Sequence, residues 1–257
     1  MKILLVFLSC SAVLLAMATA EQKLSWERPV IIGASLSDGF HLSDMGLPFV
    51  SQRSKKLGLH HHLQASLKVK HGPILNLGSN WTFLATEAKG KYQIKKAQQA
   101  KPTVVFAIDY LFWYLCAEPR HRGPGFQEMK RLEFFEVGLA HLAKLKCPVV
   151  LGNIPDARSS VGKVLSRKQY PGSELIKKAN TRLSAWLKKH PNFVLLDLHR
   201  FHQGASRNEK MEVLGETIPE GKARELYLQW DRLHPTLEGV RTIAKVALEV
   251  LEKHAEN

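Results

Sequence analysis

The sequence predicts a single α/β domain in which helices cover both faces of a parallel β-sheet. Short β-branched or leucine-rich runs alternate with longer amphipathic segments, as in chains built from βαβ units. The short runs are almost continuously apolar, which is typical of strands buried on both faces. Residues 21–257, which follow an apolar N-terminal leader, are few enough to form one domain.

The leader, residues 1–20, has the features of a secretory signal peptide. Lys2 precedes the apolar run Ile3–Met17, and Ala18-Thr19-Ala20 is a small-residue pattern suited to signal-peptidase cleavage. We therefore exclude these residues from the fold and expect an exported protein, periplasmic or extracellular. The apolar run is short for a membrane span, and no second stretch of about 20 apolar residues follows it. The sequence thus predicts no transmembrane anchor after cleavage.

Five apolar runs are predicted to be the strands of the sheet. They are Val30–Ile32, Ile74–Leu77, Val104–Ile108, Val149–Leu151 and Phe193–Leu196. Three segments carry apolar residues at helical spacing and are predicted to cover the sheet: Phe126–Lys146, Ser173–Lys189 and about Leu237–Lys253. The stretch Gln203–Gly221 is mostly polar and irregular, so we predict a long loop there.

The balance of charges indicates an anionic partner. The chain has 37 Lys plus Arg against 23 Asp plus Glu, a formal net charge of +14. Such a charge favours an acidic glycan, an envelope polymer or a lipid surface, although a merely solvated basic surface is the other interpretation. The basic residues are scattered and form no nucleic-acid-binding motif, so no specific nucleic-acid binding is predicted.

Two cysteines remain after the leader, Cys116 and Cys147, and both are predicted to be buried and unpaired. Cys116 follows the carboxyl end of one predicted strand, whereas Cys147 precedes the amino end of the next. This placement separates their Cα atoms by more than the ~7 Å that a disulfide tolerates.

The first candidate for chemistry is Ser35, in the turn after the first strand. In a parallel sheet of this kind, functional groups gather outside the carboxyl ends of the strands. Gly33-Ala34-Ser35 forms a tight turn there, which displays the serine near a helix start. Ser37 is the alternative nucleophile, or else a helix cap. A serine hydroxyl is a weak nucleophile and needs a base within hydrogen-bond reach.

The candidate base is His234, near the other end of the chain. Asp231 precedes it by three residues, just before the last predicted helix. One turn of backbone would let the Asp231 carboxylate hold the imidazole in the correct tautomer and stabilise its charged form. Ser35, Asp231 and His234 are therefore the predicted catalytic residues.

These two motifs resemble those of the SGNH, or GDSL-like, hydrolases and esterases. Ala34–Gly39 is a variant of the family's Asp-Ser-Leu-Thr-Asp-Gly block, and Asp231, His234 and Pro235 match its Asp-x-x-His-Pro block. The resemblance implies a flavodoxin-like three-layer α/β/α sandwich with a five-stranded parallel sheet. It also implies a serine nucleophile, and an oxyanion held by the serine N–H, a loop glycine and an asparagine side chain. No metal or organic cofactor is implied.

The chain departs from the family at the oxyanion positions, where the candidates are Ser35, Gly78 and Asp109. Gly78 stands earlier than the family spacing places the loop glycine, and Trp81 occupies that place. Asp109 stands where the family has asparagine. To donate a hydrogen bond, Asp109 must stay protonated, which burial among neighbouring aromatic side chains would favour by raising its pKa. Alternatively, Asp109 is rotated away and backbone N–H groups hold the oxyanion.

Three other groups of residues attract attention. His60, His61 and His62 are consecutive, but they point in different directions on a helix and lack carboxylate or cysteine partners, so surface histidines are expected rather than a metal site. Three residues in the turn after the fourth strand are expected either to contact substrate or simply to form the turn: Asn153, Pro155 and Asp156. Four aromatic side chains form either a platform for an acyl or sugar group or part of the core: Tyr110, Phe112, Trp113 and Tyr114.

The sequence thus predicts a serine hydrolase that cleaves a carboxylic ester through an acyl-enzyme, of the acyl-esterase or carbohydrate-deacylase type. Two alternatives remain open. A sugar hydroxyl could replace water, which would make the protein an O-acyltransferase. The altered oxyanion positions also suit a non-catalytic protein that binds a glycan or envelope component.

Overall fold

A computed structural model describes residues 24–40, 58–117 and 124–256. The predicted signal peptide, residues 1–20, lies outside the described residues. Within the described ranges, no helix is both long and apolar enough to cross a membrane.

The five predicted strands form one parallel sheet, as expected. The strands are β1 (Pro29–Ile31), β2 (Leu75–Asn76), β3 (Val104–Ala107), β4 (Val149–Gly152) and β5 (Phe193–Leu196). Their spatial order is β2-β1-β3-β4-β5, with every neighbouring pair parallel. This is the flavodoxin-like order, in which the chain reverses direction across the sheet between β1 and β3 and opens a crevice at their carboxyl ends.

Alternate strand residues pack on opposite faces of the sheet, which makes a three-layer sandwich. On β3, for example, Val105 and Ala107 face one core, whereas Val104 and Phe106 face the other, and all four are fully buried. This follows from the two-residue period of a strand. Because both faces are covered, the strands carry no polar face, and this explains why the runs are nearly continuously apolar.

Helices in all three described ranges supply the two outer layers. The helices are α1 (Ser35–Asp38), α2 (Leu59–Ser66), α3 (Thr86–Gln99), α4 (Phe112–Cys116), α5 (Pro124–Leu142), α6 (Ser173–Leu187), α7 (Leu198–Arg207), α8 (Ala223–Tyr227) and α9 (Leu237–Ala255). Helices α3 to α6 contribute to one core, and α2 and α9 to the other. Short 3₁₀ turns lie at Thr82–Leu84 and Arg158–Ser160.

The predicted ends of the three long helices shift by a few residues. Helix α5 ends at Leu142, four residues before the predicted Lys146, because the chain needs a turn before Pro148 and β4. Helix α6 ends two residues early, and α9 starts at the predicted Leu237 and runs two residues longer. All three helices cover the sheet as predicted.

The prediction of a long loop over Gln203–Gly221 is wrong. Its first part continues α7, and a two-stranded antiparallel hairpin follows, formed by β6 (Met211–Val213) and β7 (Glu216–Ile218). Leu214 and Gly215 both have positive φ, 54° and 78°, as a two-residue type I′ hairpin turn requires. The buried face of α7 includes His202 and Gly204, so an apolar period was not visible in the sequence.

Cys116 and Cys147 are both free, as predicted. Cys116 is buried, whereas Cys147 is only half-buried, contrary to the expectation of full burial. Burial raises the pKa of Cys116 to about 12 and that of Cys147 to about 11. Both side chains are therefore protonated thiols with little nucleophilic character at neutral pH.

Candidate active site

Ser35 lies at the carboxyl edge of the sheet, as the first residue of the one-turn helix α1. Gly33 makes the turn from β1 possible. Its φ is +151°, and a Cβ atom there would lie 2.1 Å from Asp109 Oδ1 and 2.4 Å from Ser37 Oγ. No side chain fits this position, because real Cβ atoms do not approach other atoms so closely. The glycine therefore lets the chain turn sharply and present Ser35 beside the crevice.

Asp231 and His234 lie on a tight loop before α9. Leu228 and Pro235 form an isolated antiparallel bridge that closes this loop, and the Gln229 N–H donates to the His234 carbonyl at 2.8 Å. The Thr236 side chain caps α9 by accepting from the Gly239 N–H at 3.0 Å. The loop is thus fixed at both ends.

The structure brings the three predicted residues together in a hydrogen-bonded chain. His234 Nε2 lies 3.0 Å from Ser35 Oγ, and His234 Nδ1 lies 2.5 Å from Asp231 Oδ2. If Nδ1 carries the proton that Asp231 accepts, Nε2 is left as an acceptor for the Ser35 hydroxyl. The Phe40 ring packs against the imidazole, with ring centroids 4.1 Å apart. This arrangement can activate a hydroxyl as a nucleophile.

Asp231 is fully buried and remains ionised despite its burial. Desolvation raises its pKa, but the hydrogen bond and charge of His234 act in the opposite direction. The backbone N–H groups of Leu233 and His234, both 3.0 Å from Oδ1, lower the pKa further. The net result is a pKa below the ordinary value for aspartate. The carboxylate can therefore stabilise a positive charge on His234.

Asp109 does not take the predicted position of an oxyanion donor. Both of its oxygens face the Ser35 turn, where Oδ1 accepts from the Ala34 N–H at 3.0 Å and Oδ2 from the Leu36 N–H at 2.8 Å. The Ser37 hydroxyl lies 2.6 Å from Oδ1. Burial raises the pKa of Asp109 as expected, and these hydrogen bonds offset part of the rise. The carboxyl group accepts from the turn and leaves no donor directed at a substrate.

Gly78 is not positioned as an oxyanion donor either. Its N–H donates to Asn76 Oδ1 at 2.9 Å, so the neighbouring side chain already occupies it. Among the described residues, the Ser35 N–H has no hydrogen-bond partner. Of the three candidates, Ser35 alone therefore has a donor available. Ser37 is fully buried inside α1, so it is neither an exposed nucleophile nor a cap at the helix start.

A small, mainly apolar cavity of about 50 Å³ adjoins Ser35 and His234. Phe112 lines it, together with Leu36, Ile108 and Ile243. Tyr110, Trp113 and Tyr114 are instead buried in the core, which supports the packing interpretation for most of the aromatic group. Asn153 and Pro155 also line the cavity, whereas Asp156 accepts hydrogen bonds from Tyr170 and Ser173.

Three buried residues that the sequence did not single out hold the site together. Gln93, on α3, clamps Gly33 by accepting from its N–H at 3.1 Å and donating to its carbonyl at 2.8 Å. Gln229 Nε2 donates to the carbonyls of Phe40 and Pro235, linking the two loops of the site. His202 contacts the Arg232 carbonyl at 2.9 Å. Their partners are backbone atoms, so no sequence motif marks them.

The histidine tract is only partly at the surface. His61 is exposed, but His62 is buried on α2, contrary to the expectation, because it lies on the face that packs inwards. His60 Nδ1 lies 3.2 Å from the Asn76 side-chain nitrogen. Within the described part of the chain, no group of three or more His, Cys, Asp or Glu side chains is arranged to hold a metal ion.

No protein-family model and no curated protein matches the chain. The chain is similar in structure to Axe2, an acetylxylan esterase from Geobacillus stearothermophilus, with a TM-score of 0.52 and 17% identity over 88% of this chain and 94% of that one. It is also similar to LAE5, an α/β hydrolase from the metagenome of Lake Arreo, Spain, with a TM-score of 0.50 and 20% identity over 90% and 98% of the two chains.

The chain therefore shares with these two enzymes the three-layer α/β/α fold that the resemblance to the SGNH, or GDSL-like, hydrolases implied. The resemblance carried by the motifs around Ser35 and His234 is confirmed at the level of the fold. These similarities involve few identical residues, so the function has to be argued from the site itself.

Proposed function

We propose that this protein is an exported serine hydrolase that cleaves a carboxylic ester through an acyl-enzyme on Ser35. The observation that carries the proposal is the hydrogen-bonded chain from Ser35 Oγ through His234 to the buried Asp231 carboxylate, with distances of 3.0 and 2.5 Å. A serine, a histidine and an ionised aspartate in this order form the constellation that activates a hydroxyl for acyl transfer.

In the proposed reaction, His234 Nε2 takes the Ser35 proton as Oγ attacks the ester carbonyl carbon. The bond to the alcohol oxygen then breaks, and that oxygen receives the proton from His234. Water attacks the acyl-enzyme in turn, giving one proton to His234, which returns it to Ser35 as the carboxylic acid leaves. Asp231 orients the imidazole and stabilises its charged form. The Ser35 N–H is the proposed donor to the oxyanion.

The size of the cavity supports a short acyl group in the substrate. A water molecule needs at least about 10–15 Å³ of such space, so a cavity of about 50 Å³ holds only a few water-sized groups. An acetyl group fits this size, whereas a long acyl chain does not. The similarity in fold to an acetylxylan esterase agrees with an acetylated sugar as the substrate.

Lys163, Arg224 and Arg232 form a cationic rim beside the site. This rim supports an anionic glycan as the molecule that carries the ester. Trp230, next to Asp231, is 67% exposed, and Lys163 donates to its carbonyl at 3.3 Å and lies 5.8 Å from its ring. Partial desolvation, followed by the positive charges of Arg232 and Arg224, lowers the pKa of Lys163. An exposed indole can stack on a sugar, and grouped cations attract acidic substituents.

A non-catalytic glycan-binding protein is the second candidate. It is favoured by the loss of two oxyanion donors, since Asp109 and the Gly78 N–H both bond within the protein. Removing one such donor costs about 10²–10³ in rate in other serine hydrolases. A protein of this kind would bind glycan equally well with alanine at position 35.

The test is hydrolysis of a panel of short-chain p-nitrophenyl esters by residues 21–257, beside the variants Ser35→Ala and His234→Ala. We expect activity with the acetyl ester that is lost in both variants. No activity in the wild type, or equal activity in Ser35→Ala, would contradict the proposal. An added sugar acceptor separates hydrolysis from O-acyl transfer, because a transferase would form the acylated sugar.

A further inference from the structure

We infer that Asp109 is a positioning residue that holds the Ser35 turn in its reactive geometry. This inference rests on the proposed function. It gives Asp109 a task that an asparagine cannot perform, and so accounts for the residue that departs most clearly from the SGNH pattern.

The sheet register brings Asp109 to the turn. Ile31 on β1 pairs with Phe106 on β3, so Ala34 and Asp109, each three residues further on, emerge side by side at the carboxyl edge. The Asp109 side chain is 8% exposed. It enters the turn from a neighbouring strand and needs no large movement of either loop.

The residues that donate backbone hydrogen bonds to Asp109 lie on either side of Ser35 in the sequence. One oxygen accepts from the Ala34 N–H at 3.0 Å, and the other from the Leu36 N–H at 2.8 Å, with the Ser37 N–H at a longer 3.4 Å. The first N–H groups of a helix lack partners within the helix. Ala34, at the start of α1, has no side chain that could cap them, so Asp109 supplies the cap from outside.

Both oxygens must be acceptors for this role. A carboxyl oxygen retains lone pairs whether or not the group is protonated, so Oδ1 and Oδ2 can each accept a backbone N–H. An amide has one acceptor oxygen and an NH₂ group with no acceptor capacity. In Asp109→Asn, the NH₂ group would face the N–H of either Ala34 or Leu36, leaving a buried donor unpaired beside the nucleophile.

A second side chain holds the turn on the N-terminal side of Ser35. Gln93 is buried and clamps Gly33 through two hydrogen bonds, so the residues before Ser35 cannot adjust to a new partner at position 109. A disturbance at Asp109 should therefore move Ser35 itself. Misplacing a reacting group by about 1 Å can cost roughly 10²-fold in rate.

The experiment compares kcat and KM of wild type and Asp109→Asn with p-nitrophenyl acetate. We expect kcat to fall about 10²-fold, with a much smaller change in KM, because asparagine has nearly the same shape as aspartate and so preserves the cavity that Asp109 helps to line. An oxyanion donor at this position would give the opposite result, since an amide donates better than a carboxylate. Equal or higher kcat in Asp109→Asn would overturn the inference.

Ser37→Ala serves as the second variant, since it removes one hydrogen bond to Asp109 and keeps the backbone bonds. We expect kcat to fall about fivefold, the effect of a single hydrogen bond, with KM unchanged. A wild-type kcat in Ser37→Ala would contradict the inference even if Asp109→Asn did not fold. An inactive wild type would instead contradict the proposed function, so the two failures are distinguishable.

Discussion

Ser35 and His234 are 199 residues apart in the sequence, yet their side chains meet at hydrogen-bond distance. This pair could be predicted from the sequence because each residue lies in a short motif whose chemistry is specific. The roles of Asp109, Gln93 and Gln229 could not be predicted, because these side chains bond to backbone atoms. The sequence does not show which backbone group a side chain will bond to, so these partners are identified only in the structure.

Asp231→Asn should reduce kcat by about 10³–10⁴, with the fold intact. The amide can donate to His234 Nδ1, which favours the wrong tautomer and leaves Nε2 unable to accept the Ser35 proton. Steady-state kinetics with p-nitrophenyl acetate, beside a thermal unfolding curve for each protein, would measure this. A kcat within tenfold of wild type would show that Asp231 does not orient the base.

The lowered pKa of Asp231 also predicts how stability depends on pH. A carboxylate whose pKa is lower in the folded state stabilises the fold above its unfolded pKa, and this contribution is lost as pH falls through the folded pKa. The Tm difference between wild type and Asp231→Asn should therefore be larger at pH 6 than at pH 3. A difference that grew towards pH 3 would have the wrong sign for an ionised, hydrogen-bonded Asp231.

Among the elements, the strands were predicted best and the stretch from α7 to β7 worst. Strands buried on both faces are apolar throughout, so their composition alone reveals them. Helix α7 buries His202 and Gly204, and the β6–β7 hairpin turns at Leu214-Gly215 rather than at a more typical Asn-Gly. In both cases tertiary contacts, not local preference, decide the structure.

Helix α3 supports the site through close packing at Gly90. A Cβ atom there would lie 2.1 Å from the Tyr114 hydroxyl oxygen and 2.8 Å from that of Tyr110. Gly90→Ala should therefore destabilise the protein by roughly 1–3 kcal/mol through overpacking, despite the higher helix propensity of alanine.

Thermal unfolding measures this effect, with Lys95→Ala, at an exposed position of the same helix, as the control. The control should stay within about 0.5 kcal/mol of wild type. A Gly90→Ala variant as stable as the control would show that α3 can move away from α4 at little cost.

Over the whole molecule, the net charge of +14 could be read from the sequence, but the placement of Lys163, Arg224 and Arg232 near one another beside the site could not. Lys163 and Trp230 are 67 residues apart and meet only because both loops lie at the same edge of the fold. The fold class could be predicted from the sequence, whereas the location of the cationic rim required the structure.

The cationic rim predicts salt-dependent binding of a charged substrate. With an acetylated acidic glycan, KM should rise several-fold between low salt and about 0.5 M NaCl, because salt screens exposed charges. Lys163→Ala should raise KM at low salt and weaken the salt dependence, whereas Lys95→Ala should change neither. Hydrolysis of neutral p-nitrophenyl acetate should be insensitive to all three changes. If KM for the glycan is unchanged both by added salt and by Lys163→Ala, the rim takes no part in substrate binding.

Labelling of residues 21–257 with a serine-directed fluorophosphonate, with the adduct located by peptide mass spectrometry, tests whether Ser35 is an activated nucleophile. We predict one modified residue, Ser35, with labelling that slows strongly in His234→Ala and disappears in Ser35→Ala. An unlabelled wild-type protein, or an adduct on another residue that persists in Ser35→Ala, would contradict the assignment of Ser35 as an activated nucleophile.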